Sequence, residues 1–404
     1  MKTCIIVGAG GRGKDSYAPY IKEKSLFKIV GVAEPDEMKR EQFKKKYEID
    51  DEMCFSGYEE LFSRERLADA VIICTQDRMH IEPTLMAIKS GYHILLEKPI
   101  APTIEEIITL EEAVKDYDKV FMTGFVLRYT PFIKKIKSII DEGIIGDIIT
   151  MQLNENEGFW HHAHSYVRGP WNNEKTSSPL IVAKSCHDFD LLLYLVNSDC
   201  KAVSSYGSNT YFKKENAPGD VPLRCSDGCA FADKCIYNAT KLYTQGMAKY
   251  FVHKFECGES DEEIINALKE NPYGRCVFRC DNTVCDHQVA GVEFENGATA
   301  VFTVSAFSME NTRTLKIMGS KGEVGGCMEK GIIVVKRFFD MSEESIYVTH
   351  DSTRHCGGDG GLMDYFAQAV EKGMKNDKWI FKSHKMVFAA EKARLSGKSV
   401  LMSE

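Results

Sequence analysis

The chain has 404 residues, of which 44% are hydrophobic and 27% charged, with a formal net charge of −8. That length suffices for two domains with separate cores, and the composition is that of a globular protein. The acidic balance, with no basic run, argues against nucleic acid and against anionic membranes.

No stretch is long and apolar enough to span a bilayer. The N-terminal "MKTCIIVGAGGRG" lacks the longer apolar run of a secretory signal, so a cytoplasmic protein is expected. Its 14 cysteines should then be reduced, and clustered ones point to metal before disulfide.

Residues 3–7, "TCIIV", form a short apolar run suited to a buried parallel strand. "GAGGRG" follows, setting Gly8, Gly10 and Gly13 in G-x-G-x-x-G spacing around Gly11 and Arg12. Such glycines allow a tight turn and close approach of backbone to a pyrophosphate, with the next helix offering its N–H groups. A second strand, "KIVGVA", ends at Glu34, about 20 residues further on, where a ribose-binding carboxylate belongs. A carboxylate there repels a 2′-phosphate, so NAD is favoured, while Lys39 and Arg40 keep NADP open.

The alternation continues through helix "DEMKREQFKKKY", strand "DAVIICT", helix "HIEPTLMAIKSG" and strand "YHILLE". Thr103 and Glu106 then make a T-x-x-E capping box before "IEEIITLEEAVKDY", and strand "KVFMTGF" closes the set near residue 125. Strands alternating with helices predict a doubly wound parallel sheet, with ligands at the carboxyl ends of its strands. Thr75, Gln76, Glu97 and Lys98 all occupy such ends.

Several motifs coincide: "GAGGRG", "TQDRMH", "EKP", "GFVLRY", "IKSIIDEGIIGDI" and "KSCHDFDLLLYLV". Together they resemble the glucose–fructose oxidoreductase/inositol dehydrogenase family, Gfo/Idh/MocA, along essentially the whole chain. The resemblance implies an α/β protein: an N-terminal Rossmann domain at 1–126, then an α/β domain at 127–404 with a large, open, mostly antiparallel sheet. It implies a sugar, inositol or related polyol as substrate, and a homo-oligomer, dimer or tetramer, joined through that sheet. It adds His80 and Arg128, in the matching motifs, to the cofactor-binding candidates. Lys98 of "EKP" would contact the reacting hydroxyl and the nicotinamide, before an X–Pro bond that is often cis in the family. His187 would be the proton acceptor or donor, with Asp190 three residues on.

One departure stands out. Where the family often has an aspartate four residues before the histidine, this chain has Ala183, with Lys184 beside it. On one helix, Lys184 and His187 would be i, i+3 neighbours. Clustered cations depress one another's pKa, so Lys184 joins Lys98 and His187 as a catalytic candidate.

The stretch "GFWHHAHSYVRGPW" reads as a sugar-binding loop. Trp160 or Trp171 would stack on a pyranose face, and His164, Tyr166 and Arg168 would bond hydroxyls. Its histidines lack the acidic or cysteine partners that a metal reading wants. His355 and Asp359, in a glycine-rich loop, are further substrate candidates. A Cys-rich insertion at about 200–290 supplies Cys225, Cys229, Cys235 and Cys276, the expected ligands of a structural zinc, with Cys280 as alternative fourth and an iron–sulfur cluster as alternative group. Two other functions stay open: a redox-neutral glycosidase that oxidises its substrate transiently, and a non-catalytic nicotinamide-binding regulator.

Overall fold

A computed structural model describes all residues except Glu256, residues 350–353, Lys375, Lys378 and Glu404. Six short strands build the first sheet: β1 Thr3–Val7, β2 Lys28–Ala33, β3 Cys54–Phe55, β4 Ala70–Ile73, β5 His93–Leu96 and β6 Phe121–Thr123. They pair in the order β3-β2-β1-β4-β5-β6, all parallel. This is the strand order of a dinucleotide-binding fold, whose ligand crevice lies where the order reverses, between β1 and β4. Every residue of β4 is buried, as a parallel strand covered on both faces requires. The brief strand β3 has too few residues to show a period in sequence.

The second sheet has nine strands: β7 Ile148–Gly158, β8 Cys200–Ser208, β9 His287–Phe294, β10 Thr299–Ser308, β11 Thr312–Gly319, β12 Gly322–Cys327, β13 Ile332–Arg337, β14 Glu343–Tyr347 and β15 Val400–Leu401. Their order is β14-β13-β12-β11-β7-β10-β9-β8-β15. Only the β7–β10 pair is parallel. Alternate residues of β9 are buried and exposed, so one face packs on helices and the other is open.

The helix Cys186–Val196 lies under that inner face, and Phe189 packs edge-on against Phe302 of β10. The last long helix, Ile380–Ser396, ties the two parts together. Its Ile380 and Phe381 enter the core of the parallel sheet, where the Phe381 ring stacks on Phe121 at 5.7 Å. Among the described residues no helix is long and apolar enough to cross a membrane.

Candidate active site

The glycine turn after β1 is built by contact with β4. Gly8 sits at φ +94°, and a Cβ there would lie 2.7 Å from the Cys74 carbonyl oxygen. A Cβ on Gly13 would lie 2.3 Å from the Gly8 carbonyl. Gly10 and Gly11, by contrast, face open space. The chain continues as a π-helix over Gly11–Tyr17 and becomes α-helical at Ala18–Lys24. Pro19 at the start of the α segment has no N–H for the i−4 ladder, which suits wider winding before it.

Glu34, at the end of β2, is buried beside this turn. Its carboxylate accepts from Ala9 N at 2.7 Å and Asp36 N at 3.0 Å. A carboxylate has about four acceptor positions, so room is left for hydroxyl donors. Arg40 is turned back, donating to the Glu34 carbonyl at 2.6 Å.

A cavity of about 610 Å³ opens at the carboxyl ends of β4 and β5. Thr75, Gln76, Lys98, Trp171, His187 and His355 are among its walls. Lys98 precedes Pro99 across a cis peptide bond. Its ammonium makes a hydrogen bond of 3.1 Å to the Ala183 carbonyl. Glu97 does not pair with that ammonium. Its carboxylate accepts from Lys98 N at 2.9 Å, from Arg12 Nε at 2.6 Å and from the Tyr17 hydroxyl. Burial alone would raise the Glu97 pKa, but Arg12 and Tyr17 outweigh it and hold the carboxyl below the usual range.

Arg12 spans the gap between the two parts of the chain. Its fork donates to Asp359 at 2.9 and 3.0 Å. Asp359 in turn meets His355 Nδ1 at 3.0 Å. His355 and Cys356 both adopt left-handed backbone, at φ 57° and 50°, a costly conformation for such residues that recurs at functional sites. The His355 ring lies 5.9 Å from that of His187. His187 is buried, and among the described residues neither of its ring nitrogens has a hydrogen-bond partner. Burial first, then the charge of Lys98, pushes its pKa well below the ordinary value, so it is neutral.

Other expected residues fall elsewhere. The helix expected to carry both Lys184 and His187 breaks into Leu180–Ala183 and Cys186–Val196. Lys184 then turns away from the cavity and pairs with Glu155 at 3.1 Å and Glu157 at 3.4 Å. Burial opposes its charge, but these carboxylates prevail and its pKa is raised, the reverse of the depression expected from clustered cations. Arg313 joins the same buried network through Glu155 and Asp188, and burial pushes Asp188 up to about 7. No sequence spacing announces this network, because its members come from β7, β11, the helix Cys186–Val196 and the break before it.

Arg128 is buried between Asp190 and Asp377 and borders a separate cavity of about 330 Å³. His80 lies behind the site, with Nδ1 2.7 Å from the Pro99 carbonyl and Nε2 3.1 Å from that of Thr75. It braces the two turns that carry Thr75 and Lys98.

Most of the expected sugar loop is interior. Trp160 is buried and donates to the Met309 carbonyl at 3.3 Å. His164 is sandwiched between Phe251 and Tyr273, at 4.0 and 4.4 Å, with its pKa lowered to about 2 by burial. Tyr166 is buried against His162 at 5.3 Å. Arg168 points into the Cys-rich lobe, donating to the carbonyls of Arg275 and Tyr237. Of the five candidates in this stretch, Trp171 alone borders the cavity, tethered through its indole N–H to Asp77 at 3.4 Å. Aromatic density in the sequence signalled packing, and nothing in it separated Trp171 from Trp160.

The expected zinc site needs a correction. Among the described residues no group of three or more His, Cys, Asp or Glu could hold a metal ion. Cys225, Cys229, Cys235 and Cys276 border one small cavity without converging on a single point. Cys280 is turned to the Cys276 carbonyl at 3.3 Å.

Known proteins agree with this architecture. Residues 2–125 match the GFO/IDH/MocA oxidoreductase family with NAD-binding Rossmann fold, and residues 133–325 match the GFO/IDH/MocA C-terminal domain. The Bacillus subtilis protein YteT, whose name carries the word oxidoreductase, is 24% identical over 384 residues, covering 90% of this chain and 88% of its own. Shorter matches include the Bacillus subtilis scyllo-inositol 2-dehydrogenase (NAD(+)), 28% identical over 50% of this chain and 56% of its own. The Escherichia coli 2,7-anhydro-N-acetylneuraminate hydratase is 28% identical over 36% of this chain and 38% of its own. A solved levoglucosan dehydrogenase, in complex with NADH and levoglucosan, superposes over 100% of both chains with a TM-score of 0.73 at 17% identity. With both its domains matched in sequence, the chain belongs to the GFO/IDH/MocA oxidoreductase family.

Proposed function

We propose that this chain transfers a hydride between nicotinamide and a secondary hydroxyl of a sugar, inositol or related polyol. The observation that carries the reading is one cavity beside the glycine turn that holds Lys98 and a neutral His187 with no hydrogen-bond partner among the described residues. The open space at Gly10 and Gly11 and the carboxylate of Glu34 fit a dinucleotide. Bound nicotinamide supplies a two-electron acceptor or donor at one carbon.

The rest falls to the protein. The ammonium of Lys98 spends one N–H on Ala183 and has two left to bond and polarise the reacting hydroxyl. As the carbinol carbon gives up hydride, His187 takes the hydroxyl proton and later returns it to solvent. Trp171 offers an aromatic face to the ring of the substrate. Glu34 favours NAD over NADP by repelling a 2′-phosphate. Exposed Tyr206, Val301 and Phe307 on the open sheet face support association of copies there, and a monomeric mass in solution would remove that part of the reading.

A second reading rests on the His355–Asp359 pair. A dehydrogenase needs one base, whereas this cavity holds two imidazoles. The second would serve a redox-neutral reaction: transient oxidation, loss of a leaving group beside the ketone, addition of water and return of the same hydride. A panel of polyols, sugars and glycosides, followed separately for NADH and for released aglycone, tests both. NADH accumulating with a polyol supports the first; aglycone release without NADH supports the second; neither, with nicotinamide bound, leaves a regulator.

A further inference from the structure

Two wall segments of the cavity that holds Lys98 and His187 come from different parts of the chain and are tied to each other. One is the turn Asp77–Met79, which follows β4 of the parallel sheet. The other is a strap over residues 169–179, just ahead of the helix Leu180–Ala183, and it contributes Pro170, Trp171, Thr176 and Ser177 to the wall. Arg78 makes the tie. Its Nε donates to the Thr176 carbonyl at 2.9 Å, and its Nη2 donates to the carbonyls of Lys175 at 2.6 Å and Ser177 at 3.0 Å. Beside it, Asp77 accepts from the Trp171 indole.

The three carbonyls converge because the strap turns tightly. The N–H groups of Thr176 and Ser177 both donate to the Asn173 carbonyl, at 3.2 and 2.9 Å. Among the described residues no backbone N–H donates to the carbonyls of Lys175, Thr176 or Ser177. A planar guanidinium suits such a set, since it carries several donors in one fork and a full positive charge. The opposite edge of the strap is fixed to the second part of the chain. Glu174 N donates to Thr283 Oγ1 at 2.9 Å, Thr283 N donates to the Asn172 carbonyl at 2.8 Å, and Glu174 lies 3.6 Å from Arg394.

We propose that Arg78 is a positioning residue: it draws the strap 169–179 onto the dinucleotide-binding part of the chain and so sets Trp171 and Ser177 against the substrate. The inference rests on the reading above that this cavity takes a sugar or polyol. Arg78 is exposed at the rim and needs no contact with the reacting atoms. A strap held at both edges presents its aromatic face before the substrate arrives, so the entropy of ordering it is not taken from binding. Without the tie the substrate has to order the wall itself, which weakens ground-state and transition-state binding alike and raises KM while leaving kcat.

Arg78→Gln places a polar side chain at an exposed position, so the fold should survive, and circular dichroism checks it. The first readout needs no substrate. Lys175 is exposed, and the carbonyl that a lysine-specific endoproteinase must attack there is one that Arg78 Nη2 holds. Cleavage after Lys175 should be roughly 10-fold faster in Arg78→Gln, because the open fraction of the strap sets the rate. The second readout is steady-state kinetics with the best sugar or polyol of the panel. KM should rise by roughly 10-fold with kcat within about 3-fold, and Arg78→Lys, a point charge without the fork, should fall between. If Arg78→Gln does not fold, the same cleavage comparison is made with Arg78→Lys, scored on the fragment ending at Lys175. Equal cleavage rates overturn the tie, and faster cleavage with unchanged KM overturns the positioning role. An inactive wild-type protein would remove the proposed reaction, and the cleavage ratio would still decide whether Arg78 holds the strap.

Discussion

In the proposed reaction Lys98 and His187 divide one task, and each is prepared by its surroundings. Lys98 keeps its ammonium out of an ion pair with Glu97, whose carboxylate is taken up by Arg12, Tyr17 and the Lys98 backbone. Lys98→Ala should lower kcat/KM by roughly 100- to 10,000-fold, the range for losing a positioned proton-handling group. Nicotinamide affinity, measured by fluorescence titration of NADH, should change far less; wild-type turnover in this variant would sink the assignment. Glu34 lies at the other end of the proposed site. Glu34→Ala removes the repelling carboxylate and leaves the backbone carbonyl that Arg40 bonds, so the ratio of kcat/KM for NAD over NADP should fall by roughly 10-fold or more. An unchanged ratio would mean that Glu34 serves only Ala9 and Asp36. The sequence made Lys98, His187 and Glu34 legible because each follows a strand or motif of fixed spacing. The Arg12–Asp359 pair was not legible, since nothing local links residues so far apart in the chain.

At the scale of elements, the break between Leu180–Ala183 and Cys186–Val196 decides what Lys184 does. Helical spacing alone put it beside His187, but two buried carboxylates on β7 recruit it first. They outcompete the helix because a buried carboxylate without a partner costs more than one interrupted turn. Lys184→Met should therefore destabilise the fold by about 3–5 kcal/mol, as when one partner of a buried pair is removed. Urea titration would measure this, and kcat of the folded fraction should move by less than about 3-fold. Full stability with turnover abolished would return Lys184 to the proton path. The strand–helix alternation of the first 125 residues could be read because parallel strands are short, apolar and bounded by glycine or caps. Thr103 does cap its helix, accepting from Glu106 N at 3.3 Å. The histidine and tryptophan-rich stretch misled because an aromatic residue looks the same in sequence whether it lines a cavity or fills a core.

At the scale of the whole molecule, the helix Ile380–Ser396 couples the parallel sheet to the open one, and His384 is where the coupling is sensitive to acid. Its Nε2 accepts from Ile100 N at 2.9 Å, two residues beyond Lys98. Burial pushes its pKa down to about 3. The unfolded value is near 6.5, so below that pH the unfolded chain binds a proton that the folded one refuses. Stability is thus full above pH 6.5 and lost progressively as pH falls toward 3. At pH 4.5 this single group should cost about 2–3 kcal/mol. Other buried groups also titrate in this window, and Asp190, pushed up to about 6 by burial, acts with the opposite sign. A comparison with His384→Gln isolates the histidine, because a Gln carbonyl can still accept from Ile100 N but takes up no proton. The stability gap between pH 7 and pH 4.5, from urea titration, should be smaller in His384→Gln by that 2–3 kcal/mol. Equal gaps in the two proteins would mean that protonation of His384 costs the fold nothing. A smaller gap would show that protonating one helix residue strains the turn that aims Lys98, and that the two sheets share one acid-sensitive joint.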